Sequence, residues 1–312
     1  MLRNFPVVAR LTSVALAYRN QDIALIADQV LPRTPTSYEF RWLKYDLAQG
    51  FTVPETRVGR KSLPNQVDFS ATDQTDRCTD FGLDDIVPNE DIQVARDQGQ
   101  GIDPEMIATQ YLTNLIQLGR EIRVAGLVFN SASYNAGNVS TLSGTSQWSD
   151  TANSDPVKAI LSGLDQPIVR PNIGVFGQAT YSALRSHPKV VQAIRGTAQG
   201  AGIVSRREIA DLFELQDVYV GAGFVNNAKK GQTTSMSRVW GKHAAFIYRD
   251  RAAGPQAGVT FGFTAEFGTK FAGSLSDERL GLTGSTIVRV GERVKEIVCA
   301  PDVGLYFQNA VA

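Results

Sequence analysis

Few residues in this chain are equipped for chemistry. Two histidines and two cysteines (His187, His243, Cys78 and Cys299) are its whole stock of imidazole and thiol. None stands at metal-ligand spacing, so no metal site is expected. Ser186-His187-Pro188 has the types of a nucleophile and a base, but Pro188 disfavours helical geometry at His187, and the triplet reads as a helix-ending loop. His243, in Trp240-Gly241-Lys242-His243, reads as a satisfied or exposed strand histidine. Gly221-Ala222-Gly223 follows the strand-like run Asp217 to Val220, but position 226 is Asn where a dinucleotide loop needs glycine, so a turn is expected. There is no GxxxxGK[ST] loop, GxSxG elbow, HExxH or EF-hand loop. No catalytic residue and no cofactor are expected, which moves the reading toward a structural or binding role.

What remains is the chemistry of association. Ser37 to Tyr45 alternates, with Tyr38, Phe40 and Trp42 on one face and Glu39 and Arg41 on the other, which is the period of a strand. A return strand is expected at Gln66 to Ala71, with Val67 and Phe69 on one face. Between them lie Gly50, Pro54, Gly59 and Pro64, with Arg57, Arg60 and Lys61 set against Asp46 and Glu55. The segment reads as a long hairpin with a basic, mobile tip. Two strands alone are marginal in water, so the aromatic face must lie on something. Either it covers the chain's own core or it lies on a neighbouring copy. Residues 73–103 are acidic, with Asp84, Asp85, Glu90 and Asp91 among nine carboxylates against Arg77 and Arg96. They read either as a solvated loop or as the complement of another subunit's basic tip.

Several elements must position these residues. Asn20 to Leu31 carries Ile23, Ala24, Ile26, Ala27 and Val30 at helical spacing and stops before Pro32. Asp103 is an N-cap, Pro104 suits the first helical position, and periodicity through Ile107, Tyr111, Leu115, Leu118, Ile122, Ala125 and Phe129 predicts a helix to about Asn130. At 1.5 Å per residue that is a rod of roughly 39 Å. Ser131 to Ser154 reads as a polar loop. Asp155-Pro156 starts a helix to about Gly163. Ile173 to Gly177 reads as a buried strand, and Gln178 to Arg185 and Pro188 to Ile194 as helices. Gly196 to Gly202 reads as a flexible loop, and Ser205-Arg206-Arg207-Glu208 as a capping box. Strands are expected at Asp217 to Val220, Arg238 to Trp240, Ala244 to Tyr248, Val259 to Phe267, Ser285 to Val298 and Val303 to Val311, with a loop at Ser274 to Gly284. The mixture predicts an α+β fold.

Composition sets the outer limits. The chain has 312 residues, 43% apolar and 20% charged, enough for a sizeable core. Thirty-one basic residues balance 31 acidic ones, which excludes a strongly basic nucleic-acid binder. No stretch reaches the apolar length of a membrane span, and the N-terminus does not read as an export signal. Two distant cysteines fit a reducing compartment.

The order of these parts resembles the major capsid proteins of tailed bacteriophages, whose fold is shared with encapsulin shells. The local text carries the resemblance: Arg123-Val124-Ala125-Gly126-Leu127-Val128-Phe129-Asn130, Leu142-Ser143-Gly144, Gln147-Trp148-Ser149-Asp150, Ser154-Asp155-Pro156, Pro171-Asn172, His187-Pro188-Lys189-Val190 and Val239-Trp240-Gly241-Lys242. It looks like the head subunits of siphophages and Mu-like phages. The resemblance implies an N-terminal arm at 1–31, an extended hairpin loop at 32–72 and a peripheral domain at 73–145 with a spine helix at about 104–129. It further implies an axial domain at 146–255, a peripheral β-hairpin at 256–292 and a C-terminal strand at 293–312 returning to the axial domain. The implied function is self-assembly into pentamers and hexamers closing an icosahedral shell around double-stranded DNA, in the virion after assembly in the host cytoplasm. The implied partners are further copies of the chain, a separate scaffolding protein or protease, a portal protein, a decoration protein and packaged DNA held by weak non-specific contacts; no membrane is implied. Contacts between subunits would use Tyr38, Phe40, Trp42, Arg57, Arg60, Lys61, Asp84, Asp85, Glu90 and Asp91. An encapsulin-like compartment is the alternative of the same architecture, and a soluble α/β enzyme the one of a different class.

Overall fold

The computed structural model describes residues 5–17, 25–45, 53–66, 71–97, 103–196, 202–229, 231–254 and 258–312. Helices α1 (Ala9–Ala17) and α2 (Ala27–Val30) open the chain, followed by strands β1 (Arg33–Pro35), β2 (Glu39–Tyr45), β3 (Ala71–Arg77) and β4 (Thr79–Pro88). Helix α3 (Asn89–Asp97) leads to the long helix α4 (Pro104–Val128), and β5 (Val139–Thr141) follows. Next come α5 (Pro156–Leu164), β6 (Ile173–Gly177), α6 (Gln178–Ser186), α7 (Pro188–Arg195), α8 (Arg206–Leu212) and β7 (Asp217–Gly221). The rest is β: β8 (Phe224–Asn226), β9 (Met236–Arg238), β10 (Ala244–Ile247), β11 (Gly262–Glu266), β12 (Phe271–Asp277), β13 (Ser285–Val298) and β14 (Gly304–Gln308).

Local chemistry explains the helix starts. Asp103 accepts from the Glu105 N–H, Asp155 from Lys158 and His187 from Lys189, each just before a proline. A proline there loses nothing, because the first helical N–H has no partner within the helix. Ser205 and Glu208 close a reciprocal capping box.

Two five-stranded sheets carry the fold. In the first, the order is β1-β11-β13-β12, and β4 also pairs with β13. The 14-residue β13 is its axis: β12 and β4 flank its first half and β11 its second. The second sheet has the order β5-β14-β10-β6-β7. Its strands read as nearly continuous apolar runs because both faces are covered. Phe176, Phe246, Leu305 and Phe307 point into a core with α5 to α8. The alternate residues Ile173, Val175, Ala245, Ile247 and Tyr306 point into a second core shared with α2, Val124 and Val128. The long helix therefore touches both halves, since its first turns (Ala108, Leu112, Ile116) pack on Val87, Val288 and Val290 of the first sheet and on Leu11 and Ala15 of α1.

Several expectations need correction. The helix expected over Asn20 to Leu31 is a single turn, Ala27–Val30, and Ile23 and Ala24 lie outside the described residues. A helix that was not expected, α1, buries Leu11 and Ala15. The return strand of the hairpin is Ala71–Arg77, later than expected; Val67 and Phe69 lie outside the described residues, as do Asp46, Gly50 and most of the 196–202 loop. The described part of the acidic stretch is no loop: it runs through β3, paired with β2, then β4, paired with β13 where Arg289 and Arg293 stand opposite Asp84 and Asp80, and then α3. The loop expected from Ser274 begins only after β12 ends at Asp277. Gly221-Ala222-Gly223, expected as a turn, is the end of β7 and a two-residue link to β8, and a Cβ on Gly221 would sit 2.0 Å from the Trp240 ring, so that glycine exists to seat an indole.

Candidate functional site

The pairing that most resembles a catalytic one is closed. His187 is fully buried, and its Nδ1 accepts from the Lys189 N–H at 3.2 Å. The proton of the neutral ring therefore sits on Nε2 and donates to Ser154 Oγ at 3.1 Å, while Ser154 Oγ donates to the Asp150 carbonyl at 2.7 Å. No lone pair remains on the ring to take a proton from the serine. Burial, and then Lys189, hold the imidazole below its ordinary pKa. The pair pins one loop to the start of α7. His243 Nδ1 accepts from the Asn309 N–H at 3.0 Å and serves the last strand. Burial pushes both thiols up, Cys299 to about 12, so neither is a ready nucleophile. Among the described residues, no group of three His, Cys, Asp or Glu is placed to hold a metal.

The surface built for association is the hairpin and its surroundings. β2 and β3 pair antiparallel, Phe40 opposite Asp76 and Trp42 opposite Gln74. Phe40 is 7% exposed, packed with Cys78, Phe263, Ala265 and Ile297 of its own chain, and Trp42 packs half-buried beside it. Tyr38 meets Phe267 edge-on at 5.7 Å. The aromatic face at the root of the hairpin thus lies on the first sheet of its own subunit. That corrects the expectation that Phe40 is spent on a neighbour: β11 passes beneath it and supplies the apolar floor.

The far end is different. Every described residue from 53 to 66 is exposed, and Val53 and Leu63 are 82% and 90% exposed. Among the described residues the segment is held by local bonds: Arg57 N–H to Glu55 Oε1 at 2.9 Å, Asn65 Nδ2 to the Glu55 carbonyl at 2.8 Å, and Ser62 N–H to the Gly59 carbonyl at 3.0 Å. The Arg57, Arg60 and Lys61 side chains enter no ion pair among the described residues, so the tip offers three free cations beside exposed aliphatic groups.

The acidic residues divide into two sets. Asp84 pairs with Arg289 at 2.5 Å, Asp80 with Arg293 at 3.2 Å and Asp76 with Lys295 at 3.5 Å, forming a ladder across β13. Asp84 is therefore answered within its own chain, which corrects its assignment as a partner for a neighbour's tip. These pairs are partly exposed and contribute under about 1 kcal/mol each. The other set stays available. Among the described residues Asp85 accepts from its own neighbour, the Ile86 N–H, and meets no cation, Glu90 accepts from Thr283 Oγ1 at 3.3 Å, and both Glu90 and Asp91 sit in the first turn of α3.

Sequence reasoning missed a buried ionic clip. Arg33 reaches Glu266 at 2.6 Å, Asp28 at 2.8 Å and Glu292 at 2.9 Å. Arg120, 2% exposed, pairs with Asp28 and donates to Thr264 Oγ1 at 2.9 Å, and Arg123 pairs with Glu296 at 2.9 Å. Glu121, fully buried, accepts from the Ile26 and Ala27 N–H groups and from Trp240 Nε1, at 2.8, 2.9 and 2.5 Å. One carboxylate so fastens the start of α2 and the indole of the second sheet unit to the long helix. The available signal was Arg120, Glu121 and Arg123 within an otherwise apolar stretch of helix.

No protein-family model matches the chain. Among curated proteins, the major capsid protein of Pseudomonas phage JBD67 is 53% identical over 309 residues, 99% of this chain and 98% of that protein. The chain belongs to the phage major capsid proteins. The major capsid protein of Burkholderia phage BcepMu is 28% identical over 247 residues, 76% of this chain and 75% of that one. Among solved structures, a phage-related protein from Bordetella bronchiseptica RB50 superposes with a TM-score of 0.76 at 22% identity over 99% of both chains. The capsid of cyanophage P-SCSP1u gives a TM-score of 0.60 at 9% identity, over 94% of this chain and 90% of that one. The fold of this capsid protein is thus the tailed-phage head fold expected from the order of its parts.

Proposed function

We propose that this capsid protein self-assembles into pentamers and hexamers that close an icosahedral shell around double-stranded phage DNA, and that its role is structural rather than enzymatic. In this reading the second sheet with α5 to α8 is the axial unit that packs head-to-tail around five- and six-fold axes, a heterologous contact that closes into rings. The first sheet with the long helix is the peripheral unit. The hairpin from 32 to 72 is anchored at its root by Tyr38, Phe40 and Trp42 and reaches a neighbour with Arg57, Arg60 and Lys61. Asp85, Glu90 and Asp91 are the carboxylates that meet such a tip. A separate scaffolding protein or protease, a portal and a decoration protein complete the assembly in the host cytoplasm, and the virion is where the product resides. DNA contacts are weak, as a net charge of zero supports.

The observation that carries this reading is the hairpin itself: its root packs on its own sheet, while residues 53–66 are wholly exposed, with cations that meet no carboxylate among the described residues and with bare aliphatic groups. Negative-stain microscopy of the protein recovered from infected cells, with nucleic acid measured in its particles, tests it. Closed shells holding DNA are expected. Small uniform oligomers, or shells filled with a protein cargo, would overturn it.

A further inference from the structure

The second sheet unit carries two poles of opposite charge, at the two ends of α8. At one end Arg185 and Arg206 both face the ring of Tyr181, at 5.4 and 5.6 Å from its centroid. The Val204 N–H donates to the Arg185 carbonyl, which ties α6 to the entry of α8 and brings Arg185, Arg206 and Arg207 into one patch. None of the three meets a carboxylate among the described residues, and Arg185 Nε is buried without an acceptor. The nearby Glu208 is already engaged, by Ser205 at 2.9 Å and by Arg195 at 2.9 Å.

At the other end, Asp211 is exposed and pairs with no cation among the described residues. Asp165 and Glu214 share a single guanidinium, that of Arg170, at 3.3 and 3.2 Å. Their side chains are 71% and 75% exposed. Each pole also bares one aliphatic side chain: Ile203 beside the arginines and Ile168 beside the acids, 60% and 45% exposed.

The polarity is the telling feature. A helix favours anions at its N-terminus and cations at its C-terminus. Here Arg206 and Arg207 occupy the first turn, while Asp211 and Glu214 stand at the end. Glu208 already supplies the first-turn carboxylate and caps the helix with Ser205, so Arg207, Asp211 and Glu214 place charge at the two ends that the helix itself does not need. They do suit a head-to-tail contact, in which the tail of one copy meets the head of the next. Arginine beside an exposed aliphatic group is also the composition of a protein interface rather than of a solvated face.

We infer that the Arg185, Arg206 and Arg207 pole of one copy docks on the Asp165, Asp211 and Glu214 pole of the next copy around a capsomer. This pairing rests on the shell reading above and names the surfaces that make its rings. Because the contact is heterologous, one pair of poles per subunit is enough to close a ring. Electrostatic pairing of this kind sets register and association rate.

Charge exchange in the full-length chain tests it. R206E/R207E and D211K/E214K should each lower particle yield at least tenfold by sedimentation. The variant carrying all four changes restores complementary poles and should recover yield to within about twofold of wild type. As an unassembled subunit R206E/R207E should melt no more than about 2 to 4 °C below wild type, the cost of the lost Arg206–Tyr181 contact; a merely structural role for these arginines predicts a larger loss that the four-change variant does not recover. Normal shells from R206E/R207E, or a four-fold variant no better than either parent when all are folded by circular dichroism, would overturn the pairing alone. Shells that form normally but retain less DNA would also overturn it, and would assign the arginines to phosphates. A wild-type chain that forms no particle would sink the shell reading and this pairing with it.

Discussion

Phe40 and the clip residues show how single side chains divide the work between subunit and shell. Phe40 lies in an apolar seat of its own chain, so Phe40→Ala removes a ring that the surroundings cannot replace. A loss of about 3 to 5 kcal/mol is expected, seen as a lower melting temperature of the unassembled subunit. An unchanged melting temperature would return Phe40 to the intersubunit surface. The clip carboxylates titrate with opposite sign. Burial alone would raise Asp28, but Arg120 and Arg33 together bring it below its ordinary value. Its stabilisation is present above about pH 4 and disappears as the pH falls through its lowered value. Burial raises Glu121 despite the Ile26, Trp240 and Ala27 donors. Its charge opposes the fold at neutral pH, and the opposition fades as the pH falls through that raised value toward about 4. Melting curves from pH 7 to pH 3 should therefore lose their steep acid limb in Asp28→Asn and lose the rise above it in Glu121→Gln. Profiles of both variants parallel to wild type would refute the assignment.

At the scale of elements, the long helix marks how far pattern can be read and where it stops. Its start was legible because Asp103-Pro104-Glu105 is local chemistry, and the structure begins the helix at Pro104. Its orientation was not legible. Of the expected stripe, Ile107, Tyr111, Leu115 and Ile122 are 39%, 69%, 52% and 41% exposed, Ala125 and Phe129 at its far end do join a core, and along the first turns the neighbouring stripe of Ala108, Leu112 and Ile116 is the buried one. A helix that is apolar nearly all round gives a period but no phase, and the phase is set by β13 and α1, distant in sequence. The triple change Ile107→Ser, Tyr111→Ser and Leu115→Ser should then shift subunit stability by no more than about 0.5 kcal/mol per site, read by denaturant titration; a collapse of stability would place this face in a core. Strands β6 and β13 were legible to the residue because each is bounded by strong breakers and fills a face. The acidic strand β4 was not, since Asp-rich text favours loops until Arg293 and Arg289 stand opposite, nor was β3, which Lys295 of another strand reaches through Asp76. The hairpin could be recognised as an element, whereas the resting place of its root depended on Phe263 and Ile297, more than 200 residues away.

For the whole molecule, a formal charge of zero conceals separated charge: cations at the hairpin tip, free carboxylates on β4 and α3. A subunit arranged in this way can approach its own copies along a preferred line while remaining neutral toward the DNA it encloses. The triple reversal Arg57→Glu, Arg60→Glu and Lys61→Glu isolates this effect, because those side chains are exposed and enter no ion pair among the described residues. The unassembled subunit should melt within about a degree or two of wild type, a surface change costing under roughly 0.5 kcal/mol. Assembly followed by light scattering should slow by tenfold or more in low salt. Raising ionic strength toward 1 M should narrow the gap between variant and wild type, because the screening length shrinks to about 3 Å and the wild-type attraction fades along with the variant's repulsion. Equal rates at every salt concentration would mean that the tip docks through Val53, Val58 and Leu63 alone and that its cations are solvated. A gap that persists in high salt would mean close, dehydrated ion pairs. Convergence would mean steering over a distance, and of the two, convergence is what an exposed tip with no ion pair among the described residues should give.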